Sequence, residues 1–570
     1  MKYHLIYIFY IFFFLLSALG AGQIFSKVIN PQFKNLNLGY QGIIGIFFIT
    51  IVSIVSSFAI KHGYLHNIIL HSVNLFFFFI LVLKNKFKIQ ELKKLFFLTI
   101  ILIIGIYVYK NHDDFPYYHL TYSLNLSENS LIVGQGAFSH GFRTYSSIFY
   151  FHSTLFMPFI NYFSFHMGPF LILVFFNYIL IDKILNFPNI KEKSISYYFS
   201  LLSLSFVNII FYRIGEHGTD RSAQILVFLI FAILIDTLFK NQKKNIQKLY
   251  IDLLLLLIIF AATLKSIYFI YLIIIFYIIL KKKKLFIHML QFTKPRFVIV
   301  LSIAFFMNFF INFLNTGCFL YPEEKSCIGK FDWSIPKQQV KKMKTHYEWW
   351  AKAGGSSSHK SELSKDEYIK NFNWLKLWLK KHFYPKITDT LFGTAIISFI
   401  LFLLIYHFHK KKKIIKKNEN KFLRDLYFII FIFLGLWFFK HPAMRYGGFV
   451  LISLPIFLFL SNFFSQFNIS FNHKKKISLI FIILTLLTYN IRNFKRLDKE
   501  INFYNYPILE SPFYFTEKIE SKVILDNSNF KVYSPINGKM CWASKTPCSY
   551  NDNISQKKIL NFNVIFTNDK

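Results

Sequence analysis

Long apolar runs alternate with short polar, lysine-rich segments along nearly the whole chain. Runs of roughly 15–20 residues suit helices that cross a bilayer, at a rise of about 1.5 Å per residue. Fourteen begin near Tyr3, Gly42, Tyr64, Leu95, Met167, Ile195, Ser222, Tyr250, Ser266, Phe297, Ile387, Asp425, Gly448 and Ile477. This pattern predicts an all-α polytopic membrane protein, a bundle of about 12–14 transmembrane helices over residues 1–489. Two polar stretches interrupt it, a loop over 111–166 and an insert over 315–386. Residues 490–570 form a further segment that reads as short strands and turns, "KVYSPINGK" among them. There is no internal repeat of the length that marks a solenoid.

Composition agrees with a membrane class. Hydrophobic residues make up 54% of the chain and aromatics 20%, both well above soluble averages. The 75 Phe residues rise together with Ile, Lys and Asn, so individual Phe positions carry little functional weight. A net charge of +38 raises the question of nucleic-acid binding. The lysines answer it, because they stand in blocks between apolar runs and no nucleic-acid fold accompanies them. The blocks are Lys84–Lys94, Lys240–Lys248, Lys281–Lys284, His409–Lys421 and Asn472–Lys476. Cytoplasmic loops carry such blocks under the positive-inside rule. Alternation from there places the segment after Tyr109, the Arg213–Ser222 loop, the 315–386 insert and the segment after Asn490 on the opposite, periplasmic side. The N-terminal "MKYHLIYIFYIFFFLLSALGAG" has the form of a signal peptide, but its removal would invert that parity, so it is read as an uncleaved first helix. The expected location is a bacterial inner membrane.

Four cysteines occur as two close pairs, Cys318 with Cys327 and Cys541 with Cys548, both in segments assigned outside. Two local disulfides fit that compartment, and the two-residue ligand spacing of a typical zinc site is missing.

Charged groups at the membrane edge are costly and tend to be paired or functional. Four places stand out in a chain with only 28 acidic residues. His112-Asp113-Asp114 follows a span and precedes Tyr117, Tyr118 and His119. "YRIGEHGTDRSAQ" holds Arg213, Glu216, His217, Asp220 and Arg221. Lys265 lies between two apolar runs, and "KHPAMRYGG" holds His441 and Arg445 in a tight turn. By parity all four open on one face. A carboxylate there could take a proton from an acceptor hydroxyl or amine as it attacks an activated sugar carbon. Arg445 and Lys265 could hold a phosphate leaving group, with backbone at Gly447 and Gly448 approaching it closely. Arg143 adds a cation in the first large loop. Each feature also has a plainer reading: a solvated helix end, a headgroup anchor, a snorkelling lysine or a surface salt bridge.

Taken together, these motifs resemble the GT-C superfamily of membrane glycosyltransferases. "HDDFPYYH", followed by the amphipathic stretch "FRTYSSIFYFHSTLFMPF", looks like the acidic first loop and membrane-skimming helices of that superfamily. "KHPAMRYGGF" is similar to its late "P…RY" turn. More narrowly, the chain resembles a poorly characterised bacterial family with a "DD…YH" loop, a "GTD" loop and cysteine pairs near "GC…YP" and "CW…PC". Asp113 and Asp114 match the acidic motif, Asp220 the second acidic loop and Arg445 the late arginine. One departure is plain: the acidic loop usually follows the first span, whereas about four spans precede it here.

The resemblance implies a GT-C-like bundle that moves a sugar, with inversion, from a polyprenyl-phosphate donor to a glycan, lipid or protein acceptor. One of Asp113 and Asp114 would be the general base. Arg445 and Lys265, with Arg143 and His441, would hold the donor phosphate. His112, Tyr117, Tyr118, His119, Glu216 and Asp220 would face the acceptor or substrate. No cofactor is required for monophosphate donors, though the acidic groups could take Mg²⁺ or Mn²⁺. An O-antigen ligase or polymerase acting on a lipid diphosphate is the nearest rival. A glycan transporter is less favoured, because few ionisable groups lie deep in the spans and no inverted repeat is seen.

Overall fold

The computed structural model describes all residues except 1, 85–87, 188–193, 216–217, 240–243, 282–293, 355–362, 410–419, 528–529, 538–539 and 569–570. Parts of four lysine blocks, together with Glu216 and His217, lie outside the described residues. The helices run α1 (Lys2–Val28), α2 (Leu38–Ser57), α3 (Tyr64–Leu83), α4 (Ile89–Leu102), α5 (Leu120–Glu128), α6 (Ser147–Thr154), α7 (Met167–Leu185), α8 (Ser194–Ile210), α9 (Gly218–Phe239) and α10 (Lys244–Leu264). They continue with α11 (Leu272–Lys281), α12 (Pro295–Thr316), α13 (Lys337–Lys352), α14 (Lys365–Ile369), α15 (Leu375–Trp378), α16 (Tyr384–Phe408), α17 (Asn420–Lys440), α18 (Gly448–Ser465) and α19 (Phe471–Tyr504). Eleven helices among the described residues are long and apolar enough to cross a membrane. The protein is a mostly helical, multi-pass membrane protein.

Eleven is fewer than the 12–14 expected, and three of the fourteen runs account for the difference. The run at Ile195 is a 17-residue helix, and that at Ser266 a short bent segment ending at Leu280. The run at Leu95 stops as a regular helix at Leu102 and tightens into a 3-10 turn over Ile103–Ile106. The cause is α19 pressed against it. A Cβ on Gly105 would fall onto the Tyr489 hydroxyl, and only glycine lets two helices approach so closely. The carbonyls this turn releases are then satisfied from α19. Tyr489 donates to the Leu102 carbonyl at 3.0 Å, and Arg496 donates to the carbonyls of Ile104 and Tyr107 at 3.3 and 2.6 Å.

Helix α19 also moves a boundary. The apolar run fades near 489, but the helix continues to Tyr504, so the terminal segment starts after 504 rather than at 490. A buried pair one turn apart keeps the extension in place: Arg496 Nη1 lies 3.1 Å from Glu500, and Glu500 accepts the Tyr109 N–H at 2.9 Å. Beyond it lie two antiparallel hairpins, β1 (Ser521–Asn527) with β2 (Phe530–Pro535) and β3 (Ile554–Ile559) with β4 (Phe562–Thr567). Both cysteine pairs form disulfides, Cys318–Cys327 and Cys541–Cys548. The hairpin segment docks by backbone onto the first large loop. Trp542 donates to the Pro116 carbonyl, Tyr550 to Phe138, Ile565 to Val133 and Phe515 to Tyr109.

The stretch expected to skim the membrane behaves otherwise. All eight residues of α6 are buried, because α2, α5 and α10 cover it, so it is an internal element. In "WLKLWLKKHF", Trp374 and Trp378 are buried while the neighbouring lysines are exposed. Polar pairs gather at the far end of the bundle. Asn30 donates to Asp252 at 3.0 Å, Asn37 to Asp182 at 2.7 Å, and Lys183 lies 3.1 Å from Asp236. Asp220 and Asp236 sit near opposite ends of α9, about 24 Å apart at 1.5 Å per residue.

Candidate functional site

Three breaks in regular helix and one helix start create a polar chamber at the Asp220 end. After the 3-10 turn at Ile106, His112 and Asp114 lead into a π-helical turn at Phe115–His119. Asn111 anchors that entry, donating to the Phe515 carbonyl at 2.9 Å while its Oδ1 lies 2.8 Å from His166. Asp220 stands in the first turn of α9, where a carboxylate suits the positive end of the helix dipole. Lys265 is extended, with φ −158° and ψ 126°, between α10 and a 3-10 turn. Arg445 sits in the turn between α17 and α18.

That last turn is held at almost every carbonyl. Trp378 Nε1 donates to Pro442 at 2.9 Å, Trp437 Nε1 to Ala443 at 3.1 Å and Gln224 Nε2 to Arg445 at 3.1 Å. The Met444 N–H donates to His382 Nε2 at 3.2 Å. Gly447 adopts φ +95°, a left-handed conformation that favours glycine. A Cβ on Gly448 would enter the Trp437 indole. Both glycines therefore shape and pack the turn.

Four charged side chains meet here. Arg445 Nη1 donates to Asp114 Oδ2 at 2.9 Å, and its Nε lies 3.9 Å from Asp220 Oδ2. Lys265 Nζ donates to Asp220 Oδ1. His112 Nδ1 accepts the Asp114 N–H at 3.2 Å and lies 3.7 Å from the Asp114 carboxylate. Aromatic faces cover both cations. Arg445 lies 4.4 Å from the Trp350 ring and 5.2 Å from Tyr446, and Lys265 lies 4.3 Å from Tyr446. Such contacts hold a cation without neutralising it.

The charges set each other's protonation. Burial acts to raise the Asp114 carboxyl, but the Arg445 guanidinium, the largest of the opposing influences, helps hold the group below the usual carboxylate range. Burial keeps His112 lowered and pushes His119 down to about 3, so both are neutral at pH 7. Burial opposes the Arg445 charge, yet Tyr446, Asp114 and Asp220 together keep its pKa well above the ordinary value.

A cavity of about 420 Å³ opens beside this cluster. Arg221, Lys386, Arg445 and Arg492 line it, four cations against the carboxylates of Asp220 and Asp389. Arg221 is stacked between the rings of Phe211 and Phe449, at 4.2 and 4.4 Å. One wall is the start of α16, which carries outward-facing Phe392, Ile396, Phe399 and Leu403. The cavity therefore lies where an apolar, lipid-accessible surface meets a cationic one.

The structure sorts the candidate residues. Asp114, Asp220, Lys265, Arg445 and His112 come together, with buried His119 and half-buried Tyr118 close enough to feel the Asp114 charge. Asp113 is exposed. Tyr117 bonds His140 at 3.0 Å and stacks on Tyr550 at 5.1 Å, so it braces the C-terminal segment. Arg143 donates to the Gly136 carbonyl at 2.9 Å, within its own loop. His441 packs behind the turn against Tyr446, and burial lowers it to about 4. Trp350, Lys386, Asp389, His382 and Arg492 were not singled out from sequence. Only Trp350 carried a signal, as an aromatic pair with Trp349 in a polar insert. Among the described residues no three His, Cys, Asp or Glu side chains form a group that could hold a metal ion.

These features define a class: a multi-pass membrane protein with a paired-charge chamber at one end of its bundle. The chain belongs to the family described as "Domain of unknown function (DUF8201)", whose model matches residues 1–452. That match spans Asp114, Asp220, Lys265 and Arg445, while Arg492 of the cavity wall lies beyond it. No curated protein and no solved structure matches the chain.

Proposed function

We propose that this protein is a membrane glycosyltransferase of GT-C type, moving a sugar from a polyprenyl-phosphate donor to an acceptor at the periplasmic face of a bacterial inner membrane. The observation that carries the reading is the convergence of Asp114, Asp220, Lys265 and Arg445 beside a cation-lined cavity that adjoins an apolar helix face. The donor phosphate enters that cavity and takes Arg445, a planar fork suited to phosphate, away from Asp114. With its cation engaged elsewhere, the Asp114 carboxyl rises toward the range of a useful base. Asp114 then accepts the acceptor O–H proton as the acceptor oxygen bonds to the anomeric carbon. The bond from that carbon to the phosphate oxygen breaks, its electron pair leaves with the phosphate, and Arg445 and Lys265 meet the developing charge. Asp220 positions Lys265. The chain's own cations supply the charge stabilisation.

A second reading has one observation in its favour. Four cations line the cavity, more than one monophosphate needs, which suits the lipid-diphosphate donor of a ligase or polymerase. Surface glycan is measured by staining and mass spectrometry in cells carrying Asp113→Asn, Asp114→Asn or Arg445→Ala at matched protein levels. The expected result is loss with Asp114→Asn and Arg445→Ala, and retention with Asp113→Asn. Normal glycan in all three removes the catalytic assignment.

A further inference from the structure

A second cationic cavity, of about 410 Å³, lies along the last turns of α19. Among the described residues, Lys110, Arg213, Arg492, Lys495, Arg496 and Lys499 line it together with the carboxylate of Glu500. Arg492, Lys495 and Lys499 are three and four residues apart, so they share one helix face about 5–6 Å from neighbour to neighbour. Like charges at that spacing repel by a few tenths of a kcal/mol per pair unless an anion lies between them. Glu500 is not that anion. Arg496 Nη1 holds its two oxygens at 3.2 and 3.1 Å, and the Tyr109 N–H takes one of them at 2.9 Å. Arg496 is likewise committed to Glu500 and to backbone carbonyls. This pair is buried in the cavity wall, whereas Lys495 and Lys499 beside it are exposed.

The position indicates what the opening meets. Helix α19 has 34 residues, about 51 Å at 1.5 Å per residue, against a hydrocarbon core of about 30 Å. Its exposed apolar stripe includes Leu487, Ile491 and Phe494, and the cationic face begins at that same level. Lys495 and Lys499 are exposed, as lysines are when their heads reach the headgroup layer. Arg492, fixed by donating to the Ile209 carbonyl at 2.8 Å and stacking on Tyr212 at 4.2 Å, lines both this cavity and the chamber cavity.

We propose that this cavity is a phosphate-binding site, distinct from the Asp114–Arg445 chamber, that takes the phosphate of a lipid headgroup or a free phosphate anion. It does not depend on the glycosyl-transfer reading. The chemistry is that of charge-assisted N–H···O bonds to phosphate oxygens, with Arg492 as the oriented donor and the lysines as point charges.

The test uses the full-length protein in detergent micelles and two probes. Native mass spectrometry counts bound phosphatidylglycerol against phosphatidylcholine, and calorimetry measures pyrophosphate. The variants are Lys495→Gln/Lys499→Gln, the charge-keeping Lys495→Arg/Lys499→Arg, and Lys341→Gln/Lys342→Gln as an equal loss of charge elsewhere. At about 1 kcal/mol per lysine, removing two should weaken binding about thirty-fold. The arginine variant and the Lys341/Lys342 variant should bind as the wild type does. Loss of phosphatidylglycerol retention supports the site with a lipid source. Loss confined to pyrophosphate supports it with a soluble source. Equal binding by the wild type and Lys495→Gln/Lys499→Gln, or no binding of either probe by the wild type, overturns it.

Discussion

The Asp114–Arg445 pair gives a direct test of the chamber. A double-mutant cycle with Asp114→Asn, Arg445→Gln and the combined variant isolates their coupling. Two unit charges about 4 Å apart interact by about 4 kcal/mol at an effective dielectric constant of 20. About a quarter of each side chain reaches solvent, 28% for Arg445 and 27% for Asp114, so roughly half of that is expected, about 2 kcal/mol. Asp220, 3.9 Å from Arg445 Nε, keeps the guanidinium partly compensated in Asp114→Asn. That variant should therefore cost less than Arg445→Gln, which leaves two carboxylates with Lys265 alone. The assay is reversible unfolding in mixed micelles by added dodecyl sulfate. The pH dependence follows from the lowered Asp114 carboxyl. Its stabilisation is fully present above the unfolded carboxylate value of about 3.9 and is lost as pH falls through the still lower folded value. Coupling should hold from pH 7 to about pH 4 and vanish below. Additivity within about 0.5 kcal/mol at pH 7 would refute the pairing, and so would a coupling that grows on acidification.

Two further outcomes follow from the surroundings of the chamber. His119, pushed by burial down to about 3, is neutral when folded while the unfolded side chain binds a proton below about 6.5; it should therefore cost stability as pH drops from 6.5 toward 3, and His119→Gln should flatten that slope in the same unfolding assay. Gly105→Ala should destabilise by about 1–3 kcal/mol, since its methyl meets the Tyr489 hydroxyl; Tyr489→Phe in the same chain should recover part of the loss, and full stability of Gly105→Ala alone would contradict the close approach.

Much of this architecture is legible without coordinates. Eleven of the fourteen apolar runs are helices long enough to cross a membrane, because the bilayer imposes its length on each span locally. The cysteine pairs, only 9 and 7 residues apart, are equally local. Charge cost at the membrane edge marked Asp114, Asp220, Lys265 and Arg445 individually. What a one-dimensional pattern lacks is the partner. Gly105 reads as one small residue in an apolar run, and only the approach of Tyr489, 384 positions later, turns that run into a 3-10 turn. Asp113 and Asp114 look alike in sequence, yet the π-helical turn after them sends one to solvent and the other to Arg445. Arg492, inside α19, and Lys386, in the first turn of α16, look like many other lysines and arginines of the chain. Their place in a cavity wall depends on which helices pack together. Span length and apolarity follow from how each segment meets lipid, which the residues of that segment determine alone. Pairing across hundreds of residues is decided by packing, because a buried charge or a freed carbonyl must be satisfied by whatever side chain the fold brings within about 3 Å.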